Sequence, residues 1–397
     1  MMIQFSLPVL HSWLANAAGI LPLSAFISFI DSSTDIHLYD LCGSLPLWAW
    51  AMTPAGARLL FATLADPAAT FGGCFLDRAE NTMPVHCIDG RWGDLYPSSS
   101  PYTVRLCVSA CSSVAKMVTA QARRALESAA GISEGRPLTL EVIRVRLLPT
   151  ERHSLVHRYF AQQPPRWRLV SLLCWLAWAA LVIISITTHQ NIAVAYLFTI
   201  VATGVVIRFA DTHHAGPRHL INTRDECHPR LVVASNSMNA IRWTAFLGGH
   251  KLIDSLLNKP LYSTSPYSIL DRQRRSSVRA LLHLLIAGQW SIIVAACAMQ
   301  DWNALLISAW IAICACCSPF STPEHAIREW LRINGLCLEK AEVTMSNRRV
   351  MLGALMALNP DQNSPGLKKN RWIDPILAPS DDRTHWEQEL DHVLQHG

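Results

Sequence analysis

Four stretches of the chain carry no charged side chain over about the length of a membrane-crossing helix. Leu169–Thr188 runs 20 residues around SLLCWLAWAALVIISI, Asn191–Ile207 runs 17 and closes at Arg208, Ala280–Gln300 runs 21, and Trp302–Phe320 runs 19. A hydrocarbon core of about 30 Å needs about 20 apolar residues in helical conformation. One such stretch could be the core helix of a soluble protein, but four in one chain predict membrane-spanning helices. They pair into two hairpins, because only His189-Gln190-Asn191 joins the first two and only Asp301 separates the second two. Links this short make the joined helices antiparallel neighbours.

The N-terminal region is ambiguous. Met1–Ile30 has no charged side chain but contains Pro8 and Pro22, and it lacks the basic start of a typical secretory leader. An acidic stretch with Asp31, Asp35 and Asp40 follows, then the uncharged run Leu41–Ala57, closed by Arg58. One reading is a third hairpin, giving six spans. The other makes Leu41–Ala57, with Pro46 and Pro54, a soluble or interfacial helix, leaving five spans or a cleaved leader.

Between the apolar runs the pattern is that of a soluble body. Val104–Ala130 is Ala-rich and amphipathic and predicts a helix stopped by Gly131. Leu138–Leu147 alternates as a strand whose phase slips at Ile143. Leu231–Ser235 and Ile241–Gly248, separated by NSMNA, read as a hairpin. HKLIDSLLN predicts a short helix ending before Pro260. Helices are further expected around Glu324–Leu338 and Arg348–Leu358, and near the C-terminus, where Trp386, Leu390, Val393 and Leu394 share a face.

The expected fold class is therefore an α-helical polytopic membrane protein, with two or three transmembrane helical hairpins and a small mixed α/β cytosolic body. Its parts are an apolar N-terminal region (1–58), a cytosolic segment (59–165), hairpin one (166–208), a cytosolic α/β segment (209–279), hairpin two (280–320) and a cytosolic helical tail (321–397).

Composition supports this. Charged residues make up 16% of the 397, against about 25% in soluble domains. The net charge of +5 is spread without a dense basic stripe, which argues against a nucleic-acid partner. Its distribution sets orientation instead. Arg208–Arg279 holds 11 Lys/Arg against 5 Asp/Glu, with Arg272, Arg274, Arg275 and Arg279 next to the third span. The hairpin tips have no Lys or Arg. By the positive-inside rule the soluble parts are cytosolic, where they would meet protein partners. No Asn-x-Ser/Thr acceptor occurs, which agrees. The 12 cysteines suggest no disulfide framework and read as small apolar residues.

Candidate chemistry is sparse. His213, His214, His219, Cys227 and His228 form one irregular cluster of Zn²⁺- or Fe-ligand types. Solvated loop histidines account for it better, so no metal or other cofactor is expected. Cys314, Cys316 and Cys317 lie near the cytosolic end of the fourth span, and Cys316 and Cys317 are candidates for S-acylation. Inside the four spans, Gln289 reads as an interhelical hydrogen-bonding residue. His283 reads as a headgroup-level residue. No nucleotide-binding, hydrolase or metalloprotease motif is present, so no catalytic residue is assigned.

The strings LVVASNSMN, WTAFLGGHKLIDSLLNKPL, GQWSIIVAACAMQDWNALLISAWIAIC, RRVMLGALMALNPD and WIDPILAPSDDRTHWEQEL together resemble a family of fungal multi-pass membrane proteins. The resemblance covers residues 165–397. Members of that family are sometimes encoded in secondary-metabolite gene clusters, and the likeness implies no catalytic residue. The expected function is a non-catalytic accessory or scaffold factor of an unspecified membrane. A membrane-bound biosynthetic enzyme using the His-rich segment and a transporter or efflux component are the alternatives.

Overall fold

Helices and one mixed sheet make up the protein in a computed structural model. It describes residues 8–28, 32–42, 49–65, 74–77, 82–113, 136–148, 165–211, 220, 228–259, 261, 270–317, 323–361 and 370–396. The chain divides into two compact units, each built from three separate segments. The first takes Met1–Phe71, Glu151–Arg218 and Ser263–Ala326; the second takes Gly72–Thr150, His219–Tyr262 and Ile327–Gly397.

The described part of the first unit is helical. Numbered along the chain, its helices are α1 (Ser12–Ala18), α2 (Leu21–Ser28), α3 (Ser32–Cys42), α4 (Pro54–Ala65), α6 (Pro165–Thr187), α7 (Asn191–Asp211), α9 (Leu270–Met299) and α10 (Trp302–Cys317). The two hairpins turn on His189 (φ 58°) and Gln300 (φ 50°), both in the left-handed region. This is the usual way to end a helix sharply while pairing its last carbonyls. Accordingly, the Gln190 amide donates to the Ser185 carbonyl at 2.7 Å. Asn303 joins the two turns: its Oδ1 accepts from the Ala193 amide at 3.0 Å, and its Nδ2 donates to Asp301 at 2.8 Å.

All four apolar stretches are helical, but they differ in length. Leu169–Thr187 and Ser276–Met299 are long and apolar enough to cross a membrane, whereas Asn191–Ile207 and Trp302–Cys317 are shorter apolar helices. At about 1.5 Å per residue, the 16 residues of α10 reach roughly 24 Å. Among the described residues, two of the four expected spans are thus long and apolar enough to cross a membrane, and the other two are shorter apolar helices.

The N-terminal expectations change as well. Within Met1–Ile30 the described residues, 8–28, hold two short helices, since α1 ends at Ala18, the chain turns at Gly19, and Pro22 sits in the first turn of α2. Leu41–Ala57 is not one helix either. α3 stops at Cys42, Ala51–Thr53 carries no helix, and α4 begins at Pro54. Proline lacks the N–H that a helix interior needs, and it disfavours helical backbone in the residue before it.

The second unit is built on a mixed sheet whose strands are β1 (His86–Asp89), β2 (Leu95–Pro97), β3 (Ser112–Ser113), β4 (Leu138–Leu147), β5 (Pro229–Ser235), β6 (Arg242–Gly249) and β7 (Leu336–Met345). Their order is β2-β1-β5-β6-β4-β7-β3. β4 occupies the middle, parallel to β6 and antiparallel to β7, with Glu141 opposite Thr244 on one side and Glu342 on the other. The hairpin expected from LVVAS and IRWTAFLG is the antiparallel β5–β6 pair. Gly248 is needed in it, because a Cβ there would stand 2.6 Å from the Val145 carbonyl oxygen.

Helices cover both faces of this sheet. α12 (Arg348–Leu358) and α13 (Asp381–His396) pack Leu352, Leu355, Trp386 and Leu390 against Leu140, Val142, Trp243 and Val233. α5 (Pro101–Ala110) and α8 (His250–Leu257) lie on the other face. That explains the apparent phase slip in β4. Val142 and Ile143 are both buried, at 1% and 0% exposure, because a strand covered on both sides has no polar face.

Two helix expectations are corrected here. The helix expected over Val104–Ala130 ends at Ala110, where Cys111 turns to extended backbone and leads into β3; residues 114–130 lie outside the described residues. The one expected over Glu324–Leu338 is α11 (Pro323–Ile333), and Leu336–Leu338 already belongs to β7. Gly335, with φ 72°, makes the break. The Arg348–Leu358 helix and the strand Leu138–Leu147 lie where the pattern placed them. In α13 Trp386 and Leu390 are buried as expected, while the side chains of Val393 and Leu394 lie outside the described residues.

Candidate functional site

Alternate residues of β4 point to the α5–α8 side of the sheet, and one of them is Glu141. Its side chain is 3% exposed, an expensive place for a carboxylate unless it is paired. Lys340 of β7 donates to its Oε1 at 2.8 Å, and the Thr244 hydroxyl of β6 donates to its Oε2 at 3.3 Å. Arg242 stands 3.8 Å from the same Oε1, and Lys340 lies 3.7 Å from Glu342. One buried carboxylate thus gathers cations from two neighbouring strands.

These groups form one wall of a cavity of about 390 Å³, whose opposite wall is α5 with Val104, Arg105 and Val108. Its apolar lining also includes Val85, Ala234 and Phe246, and Asn236 and Ser109 add polar groups. Arg105 donates through Nη2 to the Asn236 side-chain oxygen at 3.2 Å and to the Met83 and Pro84 carbonyls. Among the described residues no carboxylate lies within ion-pairing distance of Arg105. The lining therefore holds three cations, Arg105, Arg242 and Lys340, against the single carboxylate of Glu141. The lining is thus a mixed one, in which polar and charged groups converge beside a smaller apolar surface.

The position of Arg105 depends on how α5 begins. Pro101 opens the helix, and its Ser100 cap makes no side-chain hydrogen bond to it. Asp77 takes over that role from another segment. Its Oδ1 accepts from the amides of Tyr102 (2.8 Å) and Thr103 (3.0 Å), and its Oδ2 from the Thr103 hydroxyl at 2.6 Å. A carboxylate there satisfies orphan amides and favours the positive end of the helix. Burial pushes the Asp77 carboxyl above the ordinary aspartate range, opposed by the Thr103, Tyr102 and Cys74 hydrogen bonds.

A second polar group on the same unit is closed. Asp89, 2% exposed, accepts from Arg230 Nε at 2.9 Å, and Arg230 Nη2 meets its other oxygen. Arg230 Nη1 touches the His250 ring. This bidentate pair ties β1 to β5.

In the first unit, Gln289 is fully buried on α9 and makes three hydrogen bonds. Its Nε2 donates to the Thr203 hydroxyl of α7 at 2.7 Å and to the Trp50 carbonyl at 3.2 Å, and its Oε1 accepts from the Met52 amide at 3.1 Å. Trp290 Nε1 donates to the Met52 carbonyl at 2.7 Å. The interhelical role expected of Gln289 is present, and it extends to the non-helical backbone between α3 and α4. His283 is exposed and stacks on Phe61, with ring centroids 3.6 Å apart.

Of the five residues in the His/Cys cluster, His213, His214, His219 and Cys227 lie outside the described residues. His228 is exposed just before β5, and its carbonyl accepts from the His250 amide at 3.1 Å. The two S-acylation candidates differ: Cys316 is exposed, whereas Cys317 is half-buried. Cys314 and Cys317 stand in a Cys-x-x-Cys spacing, and both are free thiols. The cavity was not foreseen. Arg105, Glu141, Arg242 and Lys340 come from four separate segments, and each reads locally as an ordinary surface charge.

No protein-family model, curated protein or solved structure matches the chain.

Proposed function

We propose that the chain is a multi-pass integral membrane protein whose first unit lies in the bilayer and whose sheet-bearing unit acts outside it as a non-catalytic accessory or binding module. The observation that carries this reading is the exposed face of α6. Leu169, Leu172, Leu173 and Leu176 are each more than half exposed, and Ile183 is exposed by 61%. Spacing of three and four residues makes the leucines one stripe. A helix of a soluble protein would turn polar residues outward there. Moving five such half-exposed side chains from water into lipid is worth on the order of 5 kcal/mol.

Gln289 supports the same reading. Non-helical backbone at membrane depth is tolerated only where other groups satisfy it, and Gln289 and Trp290 satisfy the Trp50–Met52 backbone. The basic flanks, from Arg272 to Arg279, support a cytosolic side for the sheet-bearing unit. A role in fungal secondary metabolism is proposed on the quoted strings alone; deletion in the native host with untargeted metabolite profiling tests it.

Alkaline carbonate extraction of membranes tests insertion. The full-length chain is expected to stay in the pellet, and its release into the supernatant would overturn the reading. A glycosylation acceptor placed after Arg208 is expected to remain unmodified, and one placed between Thr188 and Asn191 to be modified. The reverse pattern would invert the orientation.

A further inference from the structure

We infer that the cavity between α5 and the sheet binds a small organic anion, with a carboxylate or phosphate head held by Arg105, Arg242 and Lys340 and a compact body beside Val108. The site lies wholly within the second unit, so it does not depend on whether the first unit crosses a bilayer.

Charge sets the class of ligand. Three cations and one carboxylate line the cavity, and Glu342 stands 3.7 Å from Lys340 just outside the lining, so positive charge is still in excess. Walls of low dielectric strengthen their pull on an anion. Glu141 does not cancel this surplus. It is shared between Lys340 at 2.8 Å and Arg242 at 3.8 Å, and it holds both cations beside the opening. Glu141 is thus a positioning residue. Among the described residues Arg105 engages only Nη2, with neutral oxygens, so Nη1 and Nε can each donate a single hydrogen bond to an anion.

Shape limits the ligand's body. About 390 Å³ lies at the small end of small-molecule sites. Val104, Ala234 and Phe246 are buried, so the ligand's body meets apolar surface mainly at Val108 and must be small. A neutral molecule of the same shape would gain the apolar contact but leave the cations without a partner.

The test uses the full-length protein in nanodiscs and isothermal titration calorimetry with naphthoate, naphthyl phosphate and the neutral naphthamide. Saturable binding of at least one anion, weakened by added salt, with naphthamide weaker by about tenfold or more, is expected. Whichever anion binds tighter identifies the head. Arg105→Gln and Arg242→Gln alter partly exposed side chains, so the fold should survive them. Each is expected to weaken the anion by about tenfold, the loss of one charge-assisted hydrogen bond. Glu141→Gln with Lys340→Met removes the buried pair together and should weaken binding at least as much. Naphthamide binding as tightly as both anions, no binding by any probe, or unchanged affinity in both arginine variants would overturn the inference.

Discussion

Gln289 donates its side-chain amide to the hydroxyl of Thr203 at 2.7 Å, and Thr203 in turn donates to the Thr199 carbonyl at 2.7 Å. Two helices far apart in sequence are thus joined by a chain of hydrogen bonds in which each buried group has a partner. The same glutamine holds the backbone at Trp50 and Met52, so one side chain connects α7, α9 and the segment before α4.

Replacing Gln289 by Leu should therefore cost more than one hydrogen bond. It leaves the Met52 amide and the Trp50 carbonyl without their described partner, at about 1–3 kcal/mol for each buried polar group. Thermal unfolding in detergent should show a clear loss for Gln289→Leu and a smaller one for Thr203→Ala, which retains both backbone bonds. Equal effects would show that the bonds to Trp50 and Met52 contribute nothing.

Lys340→Met should destabilise the second unit by roughly 2 kcal/mol. That lies below the cost of stranding a fully buried charge, because Arg242 still stands 3.8 Å from Glu141. Adding Glu141→Leu should restore much of the loss, since the carboxylate left without its main partner is then gone. A double-mutant cycle by chemical denaturation measures this, and simple additivity would contradict it.

Gly93→Ala should be among the more damaging small substitutions. Gly93 has φ +78°, and a Cβ there would lie 2.8 Å from the Trp372 Cα. Backbone strain and a backbone clash act together, for an expected loss of about 1–3 kcal/mol. Melting temperature compared with Trp92→Ala, an exposed neighbour, checks it.

Asp254 predicts a pH dependence. Burial pushes its carboxyl up, but hydrogen bonds from Lys259 and Asn258 and the Lys259 charge outweigh that and hold it below the ordinary aspartate range. A carboxyl whose folded value lies below its unfolded one stabilises the fold above the unfolded value, about 4. That contribution disappears as the pH falls through the folded value. Wild type should therefore melt above Asp254→Asn near neutral pH, with the gap closing in acid. A gap independent of pH would refute this.

S-acylation, if it occurs on α10, should follow exposure. A hydroxylamine-sensitive mass shift is expected to vanish in Cys316→Ser and to persist in Cys317→Ser, because Cys316 is exposed and Cys317 is half-buried. Loss in Cys317→Ser alone would contradict the assignment.

Several elements were legible in the chain because local pattern decides them. The strand Leu138–Leu147, the β5–β6 hairpin and the helix Arg348–Leu358 follow from periodicity and turn residues. Gln289 stood out as a polar residue in an apolar run. The N-terminal region stayed open between a third hairpin and a soluble or interfacial helix, because low charge and its prolines point in opposite directions. The helix expected across Glu324–Leu338 overran because apolar residues continue past Gly335, and the exchange of helix for strand there depends on pairing with β4.

By itself the sequence determined which segments are helix or strand and which lack charge, since hydrophobic period and backbone preference act over a few residues. Only the tertiary structure decided that β4 lies between β6 and β7, that both sheet faces are covered, and that Arg105, Glu141, Arg242 and Lys340 share one cavity. Electrostatic attraction acts through space. Residues up to 235 positions apart can therefore face one another with no local signal in the chain to announce it.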